Sequence, residues 1–193
     1  MSGVAGGPHA EPVRLALPRR ALVVVAGMPG AGKSTLLAGL PPDPRVDVRD
    51  SDAQRTSVGR ALWWLPYRYY RWLVHLLHRG GVVRAALSRT PVVVVHLPAT
   101  DPGTRAALAV VAAFTGRSAH LLWLRVDPAE ALRGQSRRGR VVPGRSFHRH
   151  AAAAAQLPVR SPAWSSVTVL DRARARRGLA LDLPVRHTPV PAQ

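Results

Sequence analysis

The sequence predicts an α/β domain with a five-stranded parallel sheet flanked by helices. Five short strand-like runs alternate with helical segments along the 193 residues. The runs ALVVVA and PVVVVH are continuously apolar, as in strands buried on both faces of a sheet. We expect the strands at 21–26, 45–49, 91–96, 119–124 and 167–170. Counted in that order along the chain, they should lie in the sheet as 2-3-1-4-5.

Helices are expected between the strands, at 33–40, 53–60, 66–89, 102–115, from 128 onward, and at 146–156. Pro41-Pro42 should end the first of them, and Gly80-Gly81 should break the third. Asp101 and Asp127 each precede a proline, which places an acidic cap before a proline at the first helical turn. The alternation of strands and helices therefore extends through the middle of the chain.

The two ends differ in composition from the middle. Residues 1–18 mix Gly, Pro and Ala without periodicity, and residues 184–193 are Pro-rich. We expect a flexible N-terminal segment, a domain over 19–183 and a C-terminal tail. Arg19-Arg20 precedes an apolar run, as in a twin-arginine signal, but the run soon breaks and no small-residue cleavage site follows. We therefore expect a cytoplasmic protein.

The chain is strongly basic, with 28 Lys and Arg, 10 Asp and Glu, and a formal net charge of +18. All but one of the basic residues are Arg, which is typical of GC-rich genomes, so the distribution of charge is more informative than the total. Residues 133–177 hold eleven Arg and one acid. This segment suits a phosphate-rich ligand, nucleic acid included, or is simply a solvated surface.

Two absences exclude whole classes of function. Without cysteine, the chain has no disulfides, thiolate metal sites or cysteine nucleophile. No apolar stretch reaches the roughly 20 residues that span a bilayer, so we expect no membrane among the partners.

Residues 27–35 match the phosphate-binding pattern G-x-x-x-x-G-K-[ST]. Gly30 and Gly32 allow the backbone to turn its N–H groups towards a phosphate, where a Cβ would collide. Lys33, the only lysine, is suited to reach the β- and γ-phosphates, and the Ser34 hydroxyl is suited to bind Mg²⁺. A buried strand precedes the motif and a helix follows it. The predicted nucleotide-binding residues are Gly27, Met28, Pro29, Gly30, Ala31, Gly32, Lys33, Ser34 and Thr35.

Acidic residues gather at the end of the second strand, where four of the ten acids fall between 43 and 52. Ligands of open α/β sheets bind beyond the carboxyl ends of the strands. Asp52 can accept the proton of an attacking hydroxyl, and Arg55, one helical turn later, can bind a phosphate or carboxylate of an acceptor. Asp50 is a further candidate for acceptor binding. Alternatively, Asp52 caps a helix that opens at Ala53, and the two roles are compatible.

These motifs together resemble the P-loop kinases of the polynucleotide-kinase and zeta-toxin-like group, which are often described as AAA-type ATP-binding proteins. The resemblance covers about residues 20–172 and implies a P-loop NTPase fold that uses ATP and Mg²⁺. In polynucleotide kinases the aspartate of the D-x-x-R element is the general base and its arginine contacts the acceptor phosphate. The resemblance assigns these roles to Asp52 and Arg55.

One position departs from the pattern of these kinases. They usually carry an acid at the end of the third strand, where it supports the Mg²⁺ shell, whereas this chain has His96. Neutral imidazole is a poor ligand for Mg²⁺. Either Asp50 or Asp52 takes over that role, or turnover is weak, or His96 only packs at the end of its strand.

An arginine-rich segment follows the fourth strand, and the resemblance places a mobile lid there. Gly139 and Gly144 can serve as hinges, while Arg137 and Arg138 can stabilise charge during phosphoryl transfer. Arg133 is a candidate for substrate binding. The alternative is a solvated arginine loop.

Residues 62–79 hold six of the ten aromatic residues. From Pro66 onward the pattern predicts an amphipathic helix, with Tyr69, Leu76 and Leu77 on one face and arginines on another. We expect the apolar face to pack in the core. Stacking of these aromatics on an acceptor is the alternative.

The sequence therefore predicts a cytoplasmic, ATP- and Mg²⁺-dependent kinase whose acceptor is a hydroxyl of a phosphorylated or nucleotide-like molecule. Its candidate catalytic residues are Lys33, Asp52, Arg137 and Arg138. Two other functions stay open: an ATPase or switch that transfers phosphate only to water, and a basic nucleic-acid-binding protein. Nothing in the sequence indicates the oligomeric state.

Overall fold

The computed structural model describes residues 11–97, 99–137, 144–155 and 162–184, with the backbone alone at Asp52 and Ala53. Strands and helices alternate along most of this chain. In order they are β1 (Val13–Ala16), β2 (Ala21–Gly27), α1 (Lys33–Ala38), β3 (Val46–Asp50), α2 (Ser51–Ala61), α3 (Tyr67–Leu87), β4 (Val92–His96), α4 (Pro102–Phe114), β5 (Ser118–Leu124), α5 (Pro128–Ser136), α6 (Gly144–Ala155), β6 (Ser166–Leu170), α7 (Arg172–Arg176) and β7 (Leu179–Asp182).

The central sheet has five parallel strands in the order β3-β4-β2-β5-β6. Counted along the chain, this is the predicted order 2-3-1-4-5, so both the fold class and the strand order are confirmed. Every residue of β2 and β4 is buried. Apolar side chains from alternate positions of these strands build one core on each face of the sheet, which explains why the two runs are apolar throughout.

A second, two-stranded sheet corrects the predicted domain boundary at residue 18. Strand β1 pairs in parallel with β7, in the register of Val13 with Leu179, and buries Leu15 and Leu17 against the core. Residues 13–17 therefore belong to the domain. Four-residue strands are too short for their periodicity to be recognised in the sequence. Residues 1–10 of the predicted N-terminal segment and 185–193 of the predicted tail lie outside the described residues.

Helix α3 differs from its prediction in two ways. It continues through Gly80-Gly81 without a break. Its buried face is formed by Val74, His78, Val82 and Ala85, whereas Tyr69, Leu76 and Leu77 are exposed. The predicted core-facing side was therefore wrong. The helix carries apolar residues on both sides, so periodicity alone does not decide which side packs on the sheet.

None of the helices within the described ranges combines the length and the apolarity that crossing a bilayer requires.

The buried side chain of Arg117 ties together the amino-terminal edge of the sheet. It lies just before β5 and is 4% exposed. Its guanidinium donates hydrogen bonds to six backbone carbonyls, those of Ala21, Ala85, Ala86, Ser88, Thr90 and Pro91. Three of these carbonyls, those of Ala85, Ala86 and Ser88, lie at or just beyond the end of α3, where the regular helical hydrogen bonds stop. That of Ala85 also accepts from the N–H of Ser88. Burial lowers the pKa of Arg117, aided by the charge of Arg20, yet a guanidinium keeps its proton.

We predict that Arg117→Met lowers the free energy of unfolding by about 2–4 kcal/mol, because it removes a charged donor from six backbone carbonyls. Within the described part of the chain, only those of Ala85, Ser88 and Pro91 have another donor outside the regular helix and sheet hydrogen bonds. Urea unfolding followed by circular dichroism measures the change. The control is Arg89→Met, which removes the same charge from an exposed site and should change stability by less than about 0.5 kcal/mol. Equal stability of the two variants would contradict the structural role of Arg117.

Candidate functional site

The loop between β2 and α1 has the backbone geometry of a phosphate-binding turn. Gly27, Gly30 and Gly32 have φ angles of 143°, 87° and 102°. These angles lie in the region that side chains disfavour, which explains the glycines. Gly32 is also the residue that caps α1. Successive N–H groups of such a turn form a concave surface suited to an anion.

The ammonium of Lys33 is folded back onto this loop. Its Nζ donates hydrogen bonds to the carbonyl oxygens of Gly27 at 2.8 Å and Met28 at 2.9 Å. The residue is only 6% exposed. The positive charge of Lys33 is therefore held within the loop.

Helix α5 packs directly against the backbone of the loop. A Cβ on Gly30 would lie 2.1 Å from the carbonyl oxygen of Ala131, and a Cβ on Gly134 would lie 2.5 Å from the carbonyl oxygen of Gly30. The side-chain amide of Gln135 also donates to the carbonyl of Pro29 at 3.0 Å. Because neither Gly30 nor Gly134 has a side chain, the backbones of the loop and of α5 can lie in direct contact. This contact fixes the middle of the loop.

Two further contacts fix the beginning of the loop. A Cβ on Gly27 would lie 2.7 Å from the carbonyl oxygen of Leu124, at the end of β5. Phe147 of α6 is buried in a small cluster with Met28 and Ala131. The loop is therefore held by β5, α5 and α6 together.

A cleft of about 250 Å³ opens beside the loop. It is lined by loop and α1 residues, by Gly134 of α5, and by Arg137, Arg172, Ala175 and Arg176. Arg172 is oriented by a 3.0 Å hydrogen bond from its Nη1 to the carbonyl oxygen of Glu130. Three arginines beside a loop of N–H groups make this cleft suited to a polyanion.

Of the three arginines predicted for the lid and for substrate binding, one is found at the cleft. Arg137 lines the cleft, directly after α5. Arg133 is exposed in the last turn of α5 and is not among the residues that line the cleft. Arg138 lies outside the described residues. The sequence analysis did not single out Arg172 and Arg176. Both follow the carboxyl end of the last strand of the central sheet, and ligands of open α/β sheets bind beyond such strand ends.

The carboxyl ends of β3 and β4 bring Asp50 and His96 together. The two residues are direct partners in the strand register, and His96 Nδ1 lies 2.6 Å from Asp50 Oδ1. His78 of α3 is buried nearby, and its Nε2 has no hydrogen-bond partner within the described part of the chain. Burial lowers the pKa of His78, and the charge of Asp50 opposes that shift. His96 thus contacts the carboxylate of Asp50 and does not only pack at the end of its strand.

The structure places Asp52 and Arg55 on α2, with one correction to the predicted helix start. Helix α2 begins at Ser51, so Asp52 belongs to its first turn and does not cap a helix that opens at Ala53. The side chain of Asp52 lies outside the described residues. The guanidinium of Arg55 lies over the ring of Tyr67, 4.4 Å from its centre, which anchors it to the start of α3.

A pair that joins the segment after β4 to α6 was not predicted. Thr100 Oγ1 lies 2.6 Å from His150 Nδ1 of α6. The segment after β4 is held by Arg105, whose Nη1 donates to the carbonyls of Ala99 and Thr100 at 3.1 and 2.7 Å. Burial lowers the pKa of His150, and the positive charges of Lys33 and Arg149 add to the effect. His150 therefore lies close enough to Lys33 for the charge of Lys33 to act on it.

Several solved structures share the fold of this chain, among them two that are described as kinases. A structure described as the PezAT chromosomal toxin-antitoxin system of Streptococcus pneumoniae matches with a TM-score of 0.60 at 12% identity, covering 81% of this chain and 69% of that one. A gluconokinase from Sinorhizobium meliloti 1021 matches with a TM-score of 0.52 at 18% identity, covering 83% and 89%. A shikimate kinase from Acinetobacter baumannii in complex with shikimate matches with a TM-score of 0.50 at 15% identity, covering 81% and 87%.

At these identities the structures establish the fold that the chain shares with P-loop kinases. No curated protein matches the sequence. A family model described as AAA domain matches residues 22–163, from the start of β2 to beyond α6. Because this match spans more than half of the residues, the chain belongs to the AAA domain family.

Proposed function

We propose that the protein is a kinase that transfers the γ-phosphoryl group of ATP to a hydroxyl of a phosphorylated or nucleotide-like acceptor. The observation that carries this proposal is the loop at 27–32, whose glycines and Lys33 adjoin a cleft with three arginines. The shared fold with a gluconokinase and a shikimate kinase supports phosphoryl transfer as the reaction. The use of ATP also supports the expectation of a cytoplasmic protein.

Nucleotide binding would depend most on Lys33. Its ammonium is held by two backbone carbonyls, and these are weaker acceptors than the oxygens of a phosphate. A triphosphate in the loop can therefore take over these hydrogen bonds without moving the backbone. Residues Gly27 to Thr35, which form the phosphate-binding motif, would surround the phosphates.

The arginines of the cleft would stabilise charge during transfer. Arg137, Arg172 and Arg176 line the cleft beside the loop, so their charges would lie close to the phosphates. Preorganised cations of this kind favour a transition state in which charge spreads over the transferred group. Arg133 and Arg138 stay predictions for a lid.

Magnesium would enter with the nucleotide. The described residues contain no group of three or more His, Cys, Asp or Glu arranged to hold a metal. This fits an ion that keeps waters and phosphates as most of its ligands and takes one or two from the protein. The hydroxyl of Ser34, directly after Lys33, is the oxygen donor that the motif offers. The metal would offset part of the phosphate charge.

The acceptor would approach from the carboxyl ends of β3 and β4. There the acceptor hydroxyl oxygen attacks the γ-phosphorus, the bond from this phosphorus to the β–γ bridging oxygen breaks, and ADP leaves. Asp52 would receive the proton of the hydroxyl. Arg55, held over Tyr67, and Asp50, held by His96, would contact the acceptor.

A second function, ATP hydrolysis without an acceptor, is favoured by the Asp50–His96 pair. This pair occupies the end of β4, where related kinases usually carry an acid. Imidazole is a poor magnesium ligand, and one oxygen of Asp50 is committed to His96. Slow transfer to water, coupled to binding of a partner, would then be the activity.

Incubation with γ-labelled ATP and a mixture of hydroxyl acceptors tests the proposal. We expect labelled acceptor from the wild type and none from Lys33→Ala, which should also lose ATP affinity by at least about 100-fold because it removes a charge from the phosphate site. Arg89→Ala, which removes an exposed charge elsewhere, is the control. Label appearing only in free phosphate would favour the hydrolysis function. Undiminished ATP affinity of Lys33→Ala would contradict the nucleotide site.

A second test separates proton transfer from binding. Asp52→Asn keeps the size of the side chain, and we expect ATP affinity to stay within about twofold while transfer falls by about 10²–10⁴-fold. The lower end of this range is expected if the transition state is loose. Asp182→Asn on β7 removes an exposed ion pair with Arg14 and should leave transfer unchanged. Unchanged transfer by Asp52→Asn would remove Asp52 from the mechanism, whereas lost ATP–Mg²⁺ affinity would assign it to the metal.

A further inference from the structure

Helix α3 carries a second apolar face that nothing in the described chain covers. Its core face is formed by Val74, His78, Val82 and Ala85. On the opposite side, residues spaced by three, four or seven positions form a row along the helix: Tyr69, Trp72, Leu76, Val83 and Leu87, with exposed fractions of 55%, 65%, 59%, 41% and 62%. We call this row the α3 stripe. At 1.5 Å per residue it is about 27 Å long.

Two more exposed tryptophans precede α3 in the chain. Trp63 is 83% exposed and Trp64 is 65% exposed, both in the turn between α2 and α3. Large aromatics are costly to leave in water, so a continuous row of this kind marks an interaction surface. Scattered single apolar residues would carry no such meaning.

The charge around the stripe specifies the kind of partner. From Ala53 to Thr100 the sequence contains seven Arg and no Asp or Glu. Arg68, Arg71, Arg79 and Arg84 are exposed on α3 itself. A second copy of the chain would bring the same positive charge against them, so electrostatic repulsion disfavours self-association through this face. The partner must be anionic.

The composition of the stripe distinguishes between anionic partners. Single-stranded nucleic acid binds to aromatic platforms on which bases stack, but the C-terminal part of the stripe, Leu76, Val83 and Leu87, is aliphatic and offers no such platform. Trp and Tyr with Leu and Val, bordered by Arg, match instead the helices that lie in the interface of a bilayer. There the aromatic rings sit among the headgroups and the guanidinium groups pair with anionic lipid.

We propose that the α3 stripe docks on an anionic membrane surface, with α3 parallel to the bilayer and Trp63 and Trp64 inserted beside it. This goes beyond the kinase function and does not depend on it. It also revises the expectation of no membrane partner, which considered only spanning segments. Binding requires no conformational change, because the stripe is already exposed and α3 is already anchored through its core face.

Co-sedimentation of the full chain with phosphatidylcholine vesicles, with and without about 30% phosphatidylserine, tests the proposal. We expect binding to the anionic vesicles only, with a blue shift of tryptophan fluorescence. Trp72→Glu and Leu76→Glu should each weaken binding by about tenfold or more, because they place a charge in the interface. The double variant Arg68→Gln/Arg79→Gln should weaken it by about 30-fold at low salt.

The matched control is Phe114→Glu, which makes the same kind of change at the end of α4, where Phe114 is 86% exposed. It should bind vesicles as the wild type does. Unaltered thermal unfolding of all variants shows that the fold is kept. Equal binding to both vesicle types, or equal binding by Leu76→Glu and Phe114→Glu, would overturn the proposal. So would binding of a single-stranded oligonucleotide that is lost in Leu76→Glu while vesicles are not bound.

Discussion

The candidate site depends on one close contact, the backbone of Gly30 against α5. Neither Gly30 nor Gly134 leaves room for a Cβ at this point. The loop is tied to the end of β2 and α5 follows β5, so the register of β2 with β5, in which Gly27 pairs with Leu124, sets the distance between them. Arg137 directly follows α5 and thereby lines the cleft beside the loop. The position of the cationic cleft is thus a consequence of backbone packing in the sheet and around it.

The arginines that the structure describes differ in environment, although composition alone suggests a uniform excess. Arg105 and Arg117 are buried and satisfy backbone carbonyls, so their function is structural. Arg137, Arg172 and Arg176 line the cleft. Those along α3 border an exposed apolar row. A net charge by itself cannot separate these roles, because burial and neighbours decide what a guanidinium does.

Much of the fold could be predicted because the buried strands are marked by continuous apolar runs, and the phosphate loop by a specific motif. What could not be predicted has physical reasons. Strands β1 and β7 are too short to show a period. Helix α3 is apolar on two sides, so its buried face depends on tertiary packing. Two contacts join residues that are far apart in the sequence: Asp50 with His96, 46 positions apart, and Thr100 with His150, 50 positions apart. No local sequence pattern indicates such contacts.

The contact of Gly30 with α5 can be tested directly through Gly134→Ala. The added methyl must displace the loop, so we expect both a loss of stability of about 1–3 kcal/mol and a loss of ATP affinity of at least about tenfold. Gly80→Ala is the matched control: its Cβ would meet no atom within 4 Å, and alanine within α3 should stabilise the protein by about 0.5–1 kcal/mol. Calorimetric titration with ATP, combined with thermal unfolding of both variants, gives the measurement. Wild-type affinity in Gly134→Ala would contradict the claim that this contact shapes the site.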